Sequence, residues 1–312
     1  MPDPIAVFDG HNDILLKLYM NADARRSIWD GSDGRGHLDL PRMQAGGFAG
    51  GFFAIYVPSP ADPDAPDMMA LMAEPPYDLP LPDLIDAPAA QPVALAQAGL
   101  MHWMARESAD AFALCRTADE ARAAMAAGQI AGVMHMEGTE AIGADLDALY
   151  LFHQMGLRSL GPVWSRPTIF GHGVPFAFPG DPDTGPGLTD AGRDLVRICD
   201  ALGIIVDLSH MNAAGVDDVA KISTKPLVAT HSNVHALCPS PRNLTNRQLA
   251  MIRDTGGMVG LNFATFFLAP DGRGSDVLGL DAMARHLDYL IEALGEGHVG
   301  FGSDFDLSLI HI

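Results

Sequence analysis

The stretch TDAGRDLVRICDALGIIVDLSH, residues 189–210, holds one complete helix-to-strand unit. Thr189 and Asp190 supply a helix start, and Leu195, Val196, Ile198, Cys199 and Leu202 supply an apolar face. Gly203 supplies the stop, because a residue without Cβ enters a left-handed cap at no steric cost. The run Ile204-Ile205-Val206 that follows is strand-like and ends in Asp207, Ser209 and His210. A helix feeding directly into a short apolar strand is the repeating unit of a parallel α/β sheet.

Outward from this stretch the unit recurs. Strands are predicted at 5–8, 51–57, 130–136, 157–163, 204–208, 227–230, 258–262 and 299–303. Leu244-Thr245-Asn246 opens a helix that closes at Gly256-Gly257, and a further helix over 280–294 runs to Gly295. Eight strands with helices between them predict an α/β fold, a (β/α)8 TIM barrel forming a single domain over residues 1–312. Its active site would lie at the C-terminal ends of the strands. An open doubly wound sheet is the structural alternative, but no G-x-G-x-x-G follows the first strand to support dinucleotide binding. Residues 58–92, rich in Pro, Asp and Ala, are expected as a long loop insertion on the catalytic side, either a lid or partly disordered. Residues 171–187 are expected as a second long loop. Past about residue 306 the expectation is a truncation or a non-native tail, so that the barrel lacks its final C-terminal helix and leaves an apolar stave uncovered.

Composition narrows the function. Hydrophobic residues make up 48% of the 312, enough for a sizeable core. No apolar run approaches the ~18 residues of a membrane span, and Met1-Pro2-Asp3-Pro4 has neither a basic region nor an apolar signal core. The three cysteines, Cys115, Cys199 and Cys238, are scattered. They form no disulfide framework or Cys-x-x-Cys site, so a reducing, cytoplasmic setting is expected. A net charge of −20 argues against nucleic acid or anionic membrane as a partner. A small zwitterionic substrate remains compatible, and a homo-oligomer is left open.

The predicted strand ends carry the chemistry. The first leads to His11 and Asp13, two positions apart and so on one side of an extended chain; alone, the pair reads equally as a turn. The third ends in Glu137, the fifth in His210, the sixth in His231 and the eighth in Asp304. Three imidazoles with several carboxylates suit zinc or a similar borderline metal. They are too many for one four-coordinate ion and about right for two sharing a carboxylate. Two ions about 3.5–4 Å apart can hold a hydroxide between them for hydrolysis. Glu137 is the natural bridge, and Asp304 the natural proton shuttle.

These residues resemble the membrane (renal) dipeptidase family, a branch of the amidohydrolase superfamily of metal-dependent barrels. The matching stretches are Asp9-Gly10-His11-Asn12-Asp13, Met136-Glu137-Gly138, Gly187-Leu188-Thr189, Val206-Asp207-Leu208-Ser209-His210, His231-Ser232-Asn233, Cys238-Pro239-Ser240-Pro241-Arg242-Asn243-Leu244 and Gly300-Phe301-Gly302-Ser303-Asp304-Phe305-Asp306. The resemblance implies that His11 and Asp13 bind one Zn2+, that His210 and His231 bind a second, and that Glu137 bridges them. Arg242 would hold the dipeptide's C-terminal carboxylate, and Asp304 would contact the free amine and handle the proton. The implied reaction is hydrolysis of a dipeptide's amide bond. The family tolerates D-residues on the C-terminal side, and some members open β-lactams.

The chain departs from the family at Trp164, where members carry a His that polarises the scissile carbonyl. Trp donates one N–H and cannot act as an imidazolium. His172, on the same loop, is the candidate replacement; otherwise Trp164 narrows the pocket and shifts side-chain preference. His135, two before Glu137, is expected as a buried hydrogen-bonded residue below the metals. His235, one turn beyond His231, reads as a solvated loop residue ahead of a substrate contact, and no role is assigned to His37, His102, His153, His286, His298 or the tail residue His311. Two other functions compete: an amidohydrolase of N-acyl amino acids or lactam-like amides, and an inactive fragment or non-catalytic binding protein.

Overall fold

A computed structural model describes residues 5–32, 34–60, 67–108, 110–274 and 278–307. Its strands are β1 (Val7–Asn12), β2 (Phe48–Tyr56), β3 (Tyr77–Asp78), β4 (Phe112–Cys115), β5 (Ile130–Glu137), β6 (Leu157–Gly161), β7 (Ala177–Phe178), β8 (Ile205–Val206), β9 (Val228–Ala229), β10 (Met258–Asn262) and β11 (Val299–Gly302). Eight of them run parallel in the order β8-β6-β5-β2-β1-β11-β10-β9. A parallel bridge between Asp207 and Val228, with Leu208 N–H donating to Val228 O at 2.8 Å, links the two ends of that path. The result is a nearly closed parallel barrel with helices outside it, the expected (β/α)8 fold.

The local signals act as read. Thr189 accepts from Gly192 N–H at 3.1 Å to start the helix Asp190–Leu202, and Gly203 ends it at φ 69°. Thr245 and Gln248 form a reciprocal capping box on the helix Asn246–Asp254. The first strand differs from expectation. It extends to Asn12, so His11 lies within the strand, and Asp13 is the residue that precedes the helix Ile14–Met20. Gly10 is not a turn residue. A Cβ there would lie 2.3 Å from Thr230 O, so glycine lets β1 run close to the end of β9.

Two more differences concern short elements. β4 pairs with β5 off the barrel path, and β3 pairs with β7 as a separate antiparallel ribbon. The expected loop at 58–92 contains the helix Met68–Met72 and the first turns of the helix Ala87–Glu107. Pro88 and Pro92 both fall within that second helix. Asp86 caps the helix by accepting from Ala89 N–H at 2.9 Å, and Pro88 is accommodated in a first turn that has no N–H partner to lose, whereas Pro92 lies inside the helix and gives up the bond to the carbonyl four residues before it.

This insertion and the loop after β6 cover the barrel mouth. Tyr56, Met72, Tyr77, Trp164, Phe176, Phe178, Phe266 and Phe267 pack there as an apolar cluster separate from the main core. Among the described residues no helix is long and apolar enough to cross a membrane. The tail at 308–312, including His311, lies outside the described residues.

Candidate active site

Burying charge requires partners, because a bare carboxylate or imidazolium out of water costs several kcal/mol or more. The barrel mouth nonetheless buries His11, Asp13, Glu137, His210, His231 and Asp304 together, each no more than 5% exposed. Glu137 Oε1 stands 3.0 Å from His210 Nε2, 3.2 Å from His231 Nε2 and 3.8 Å from His11 Nε2. His11 Nε2 lies 3.6 Å from Asp13 Oδ2 and 3.9 Å from Asp304 Oδ1. Three overlapping groups could each hold an ion: His11, Asp13 and Glu137; Glu137, His210 and His231; His11, His231 and Asp304. The donors fit such ions. Among the described residues His11 Nε2 and both Asp13 oxygens are buried without a hydrogen-bond partner, which neutral packing does not explain.

Charge states follow from this crowding. Burial pushes Glu137 well above the usual carboxylate range, against the pull of charged His11, and Asp13 and Asp304 push it further. Burial likewise raises Asp13 to about 6. For His11 burial opposes the charge, but the negative Glu137, Asp13 and Asp304 outweigh it and hold the imidazole at about 10. Burial holds His210 and His231 well below the ordinary histidine range, and the nearby cations Arg242 and His11 lower them further. Both shifts favour the neutral imidazole that ligates a metal, and at His11 a bound cation would take the place of the proton that the carboxylates favour.

The backbone is committed to this arrangement. His210 and Asp304 both sit at positive φ, 66° and 61°, where a side chain is strained by about 1–3 kcal/mol. Asp304 N–H donates to His11 O at 3.0 Å, and Asp304 Oδ2 accepts from Asn262 Nδ2 at 3.0 Å. Below it, Asp9 accepts from the backbone N–H of Ser303 at 2.7 Å and from its hydroxyl at 2.8 Å, tying β1 to β11.

Arg242 is buried, gives Nη2 to His231 O at 3.1 Å, and lies 5.4 Å from the centre of the Phe267 ring. Its Nε has no partner among the described residues. Trp164 is buried beside the cluster, its ring 5.8 Å from that of His210 and 5.2 Å from that of Tyr56. His172 is half-buried; its carbonyl accepts from Asn212 N–H at 3.4 Å. Among the described residues its ring makes no hydrogen bond to the histidine–carboxylate cluster. His135 is buried with Nδ1 2.9 Å from Ser159 Oγ, and burial lowers it to about 3.

Several supporting residues were not singled out from sequence. Ser165 Oγ lies 2.9 Å from His210 Nδ1, and Thr230 Oγ1 lies 2.9 Å from His231 Nδ1. Thr230 in turn donates to Asp207 Oδ2 at 2.6 Å. Asp207 did carry a signal, as a carboxylate inside an apolar strand run. Arg166 and Glu140 form a buried ion pair at 2.9 Å, with the guanidinium 5.3 Å from the Trp164 ring centre.

Comparison with known proteins places the chain. Residues 3–310 match the family described as Membrane dipeptidase (Peptidase family M19). An uncharacterised protein of Acinetobacter calcoaceticus, from the PQQ-III 3' region, is 40% identical over 293 residues, covering 93% of this chain and 90% of that protein. Dipeptidase aclJ of Aspergillus oryzae is 26% identical over 307 residues, covering 97% of this chain and 67% of that protein. A solved metallo peptidase from Rhodobacter sphaeroides, liganded with a phosphinate mimic of the dipeptide L-Ala-D-Ala, is 64% identical with a TM-score of 0.96. That match covers 99% of this chain and 88% of the other. The chain belongs to the membrane dipeptidase family, peptidase family M19, and is a peptide-bond hydrolase.

Proposed function

We propose that the protein is a binuclear zinc dipeptidase that accepts a D-residue at the C-terminal position. The observation that carries this reading is the sharing of Glu137 Oε1 between the His11–Asp13 side and the His210–His231 side of one buried cluster. His11 and Asp13 would hold one ion, His210 and His231 the other, and Glu137 both. Imidazole with carboxylate is a ligand set suited to zinc. When bound, such a pair supplies a water acidic enough to attack at neutral pH and polarises the scissile carbonyl. The L-Ala-D-Ala mimic in the Rhodobacter sphaeroides relative supports both the dipeptide and the D-residue.

The chain's own groups do the rest. Arg242 receives the substrate's C-terminal carboxylate, for which a planar guanidinium offers paired donors. Its buried, unpartnered Nε supports that role. Asp304, oriented by Asn262, holds the substrate's free ammonium and carries a proton from the attacking water to the leaving nitrogen. Trp164 borders the pocket beside His210 and limits the side chains it admits. The aromatic cluster over the mouth keeps bulk water from these charges, which strengthens each interaction.

The test compares L-Ala-D-Ala with its N-acetyl derivative on zinc-loaded protein. Turnover should be largely lost on acetylation, because Asp304 then has no ammonium to hold. Equal rates would favour an N-acyl amidohydrolase and contradict the dipeptidase reading.

A further inference from the structure

The two sides of the cluster are supported unequally. Thr230 has one hydroxyl hydrogen, and it points to Asp207 Oδ2 at 2.6 Å. The 2.9 Å contact between Thr230 Oγ1 and His231 Nδ1 must then use an N–H on the ring. This fixes the tautomer of His231 and leaves Nε2 as a lone pair aimed at the cluster. Asp207 is itself fixed, since its Oδ1 accepts from Thr230 N–H at 2.8 Å and Ser209 N–H at 3.0 Å. The close passage of β9 past its neighbours steadies Thr230 further: a Cβ on Gly260 or Gly302 would come within 2.0 Å of Thr230 O.

His210 has a similar though simpler support. Its Nδ1 meets Ser165 Oγ at 2.9 Å, and the residue after Ser165 is Arg166, which bonds Glu140 and Val57 O at 2.9 and 3.0 Å. On the other side, His11 Nδ1 has no hydrogen-bond partner among the described residues, and neither oxygen of Asp13 has one. Outer partners of this kind typically contribute about 10- to 100-fold in metal affinity.

Resting on the two-metal reading above, we infer that the Glu137–His210–His231 half fills first and holds its ion more tightly, with Asp207 acting through Thr230 as its positioning residue. The His11–Asp13 half fills second and gives up its ion first. Its ligands are oriented chiefly by the ion itself.

The test titrates metal-free protein with Co2+, following absorbance and the free ion by equilibrium dialysis. Wild type should take up two ions in resolved steps, about tenfold or more apart. Thr230→Val should weaken the tighter step by about 10- to 100-fold and leave the weaker step in place. Thr230→Ser, which keeps the hydroxyl, should restore the tighter step and control for misfolding. His11→Ala should abolish the weaker step alone. Two ions of equal affinity, a Thr230→Val effect confined to the weaker step, or loss of the tighter step in His11→Ala would overturn the inference. Uptake of a single ion by wild type would instead refute the two-metal reading. In that case survival of the ion in His11→Ala upholds the preferred half, and its loss refutes it.

Discussion

Arg166 and Glu140 meet in a fully buried ion pair, Nη1 to Oε1 at 2.9 Å, directly behind the aromatic wall of the site. Arg166 also reaches Val57 O with both terminal nitrogens at 3.0 Å and Tyr56 Oη at 3.3 Å, so it joins the mouths of β2 and β5 to the loop carrying Trp164 and Ser165. Removing one partner strands a buried charge. Arg166→Met or Glu140→Leu alone should cost about 3–5 kcal/mol in urea unfolding, and the double replacement clearly less than the sum. Additive losses would show that the two charges are not coupled.

Arg242 leads to a prediction about catalysis. Arg242→Met removes the proposed receptor for the substrate carboxylate, and kcat/KM for a dipeptide should fall by about 30- to 1000-fold, equivalent to about 2–4 kcal/mol. A dipeptide amide, which lacks that carboxylate, should be a poor substrate for wild type and little affected by the replacement. An equal loss on both substrates would place the role of Arg242 in the fold, through its bond to His231 O.

His286 governs an acid limb of stability. Its Nδ1 accepts from Val234 N–H at 3.1 Å and its Nε2 faces Leu268 O at 3.2 Å, so the neutral ring staples the loop after β9 to the loop after β10. Burial lowers it from 6.5 to about 4. The unfolded chain therefore takes up a proton near pH 6.5 that the folded chain refuses until about pH 4. Stability from this group is fully present above pH 6.5 and falls as pH drops through that window, by about 3 kcal/mol in total. His286→Gln should be less stable at neutral pH yet show a shallower decline toward pH 4, measured by urea midpoints across the range. Parallel declines in both proteins would remove His286 from the explanation.

Much of this was legible in the chain because barrel chemistry gathers where strands end. His210, His231 and Asp304 each follow an apolar run, and Glu137 terminates one, so their convergence can be read from the chain alone. What lay hidden depends on neighbours in space. Nothing in the sequence ties Ser165 to His210, and although Thr230 adjoins His231 in the chain its hydroxyl is equally at home in a turn. Arg166 carries no signal that sets it apart from other loop cations, because Glu140 lies beside it only in space. β4 is four residues of mixed propensity and gives no period to detect. The helical part of the covering insertion stayed hidden because a proline early in a helix and a proline in a loop look alike in a sequence, and the Asp86 cap distinguishes the two.

The central claim is that five buried side chains hold two ions through a shared carboxylate. Metal content after zinc loading and desalting tests it most directly, on wild type and on Glu137→Ala checked for folding by circular dichroism. About two zinc ions per chain in wild type, falling to one or fewer in Glu137→Ala, is the predicted result. No retained zinc in folded wild type, or two ions retained without Glu137, would contradict it.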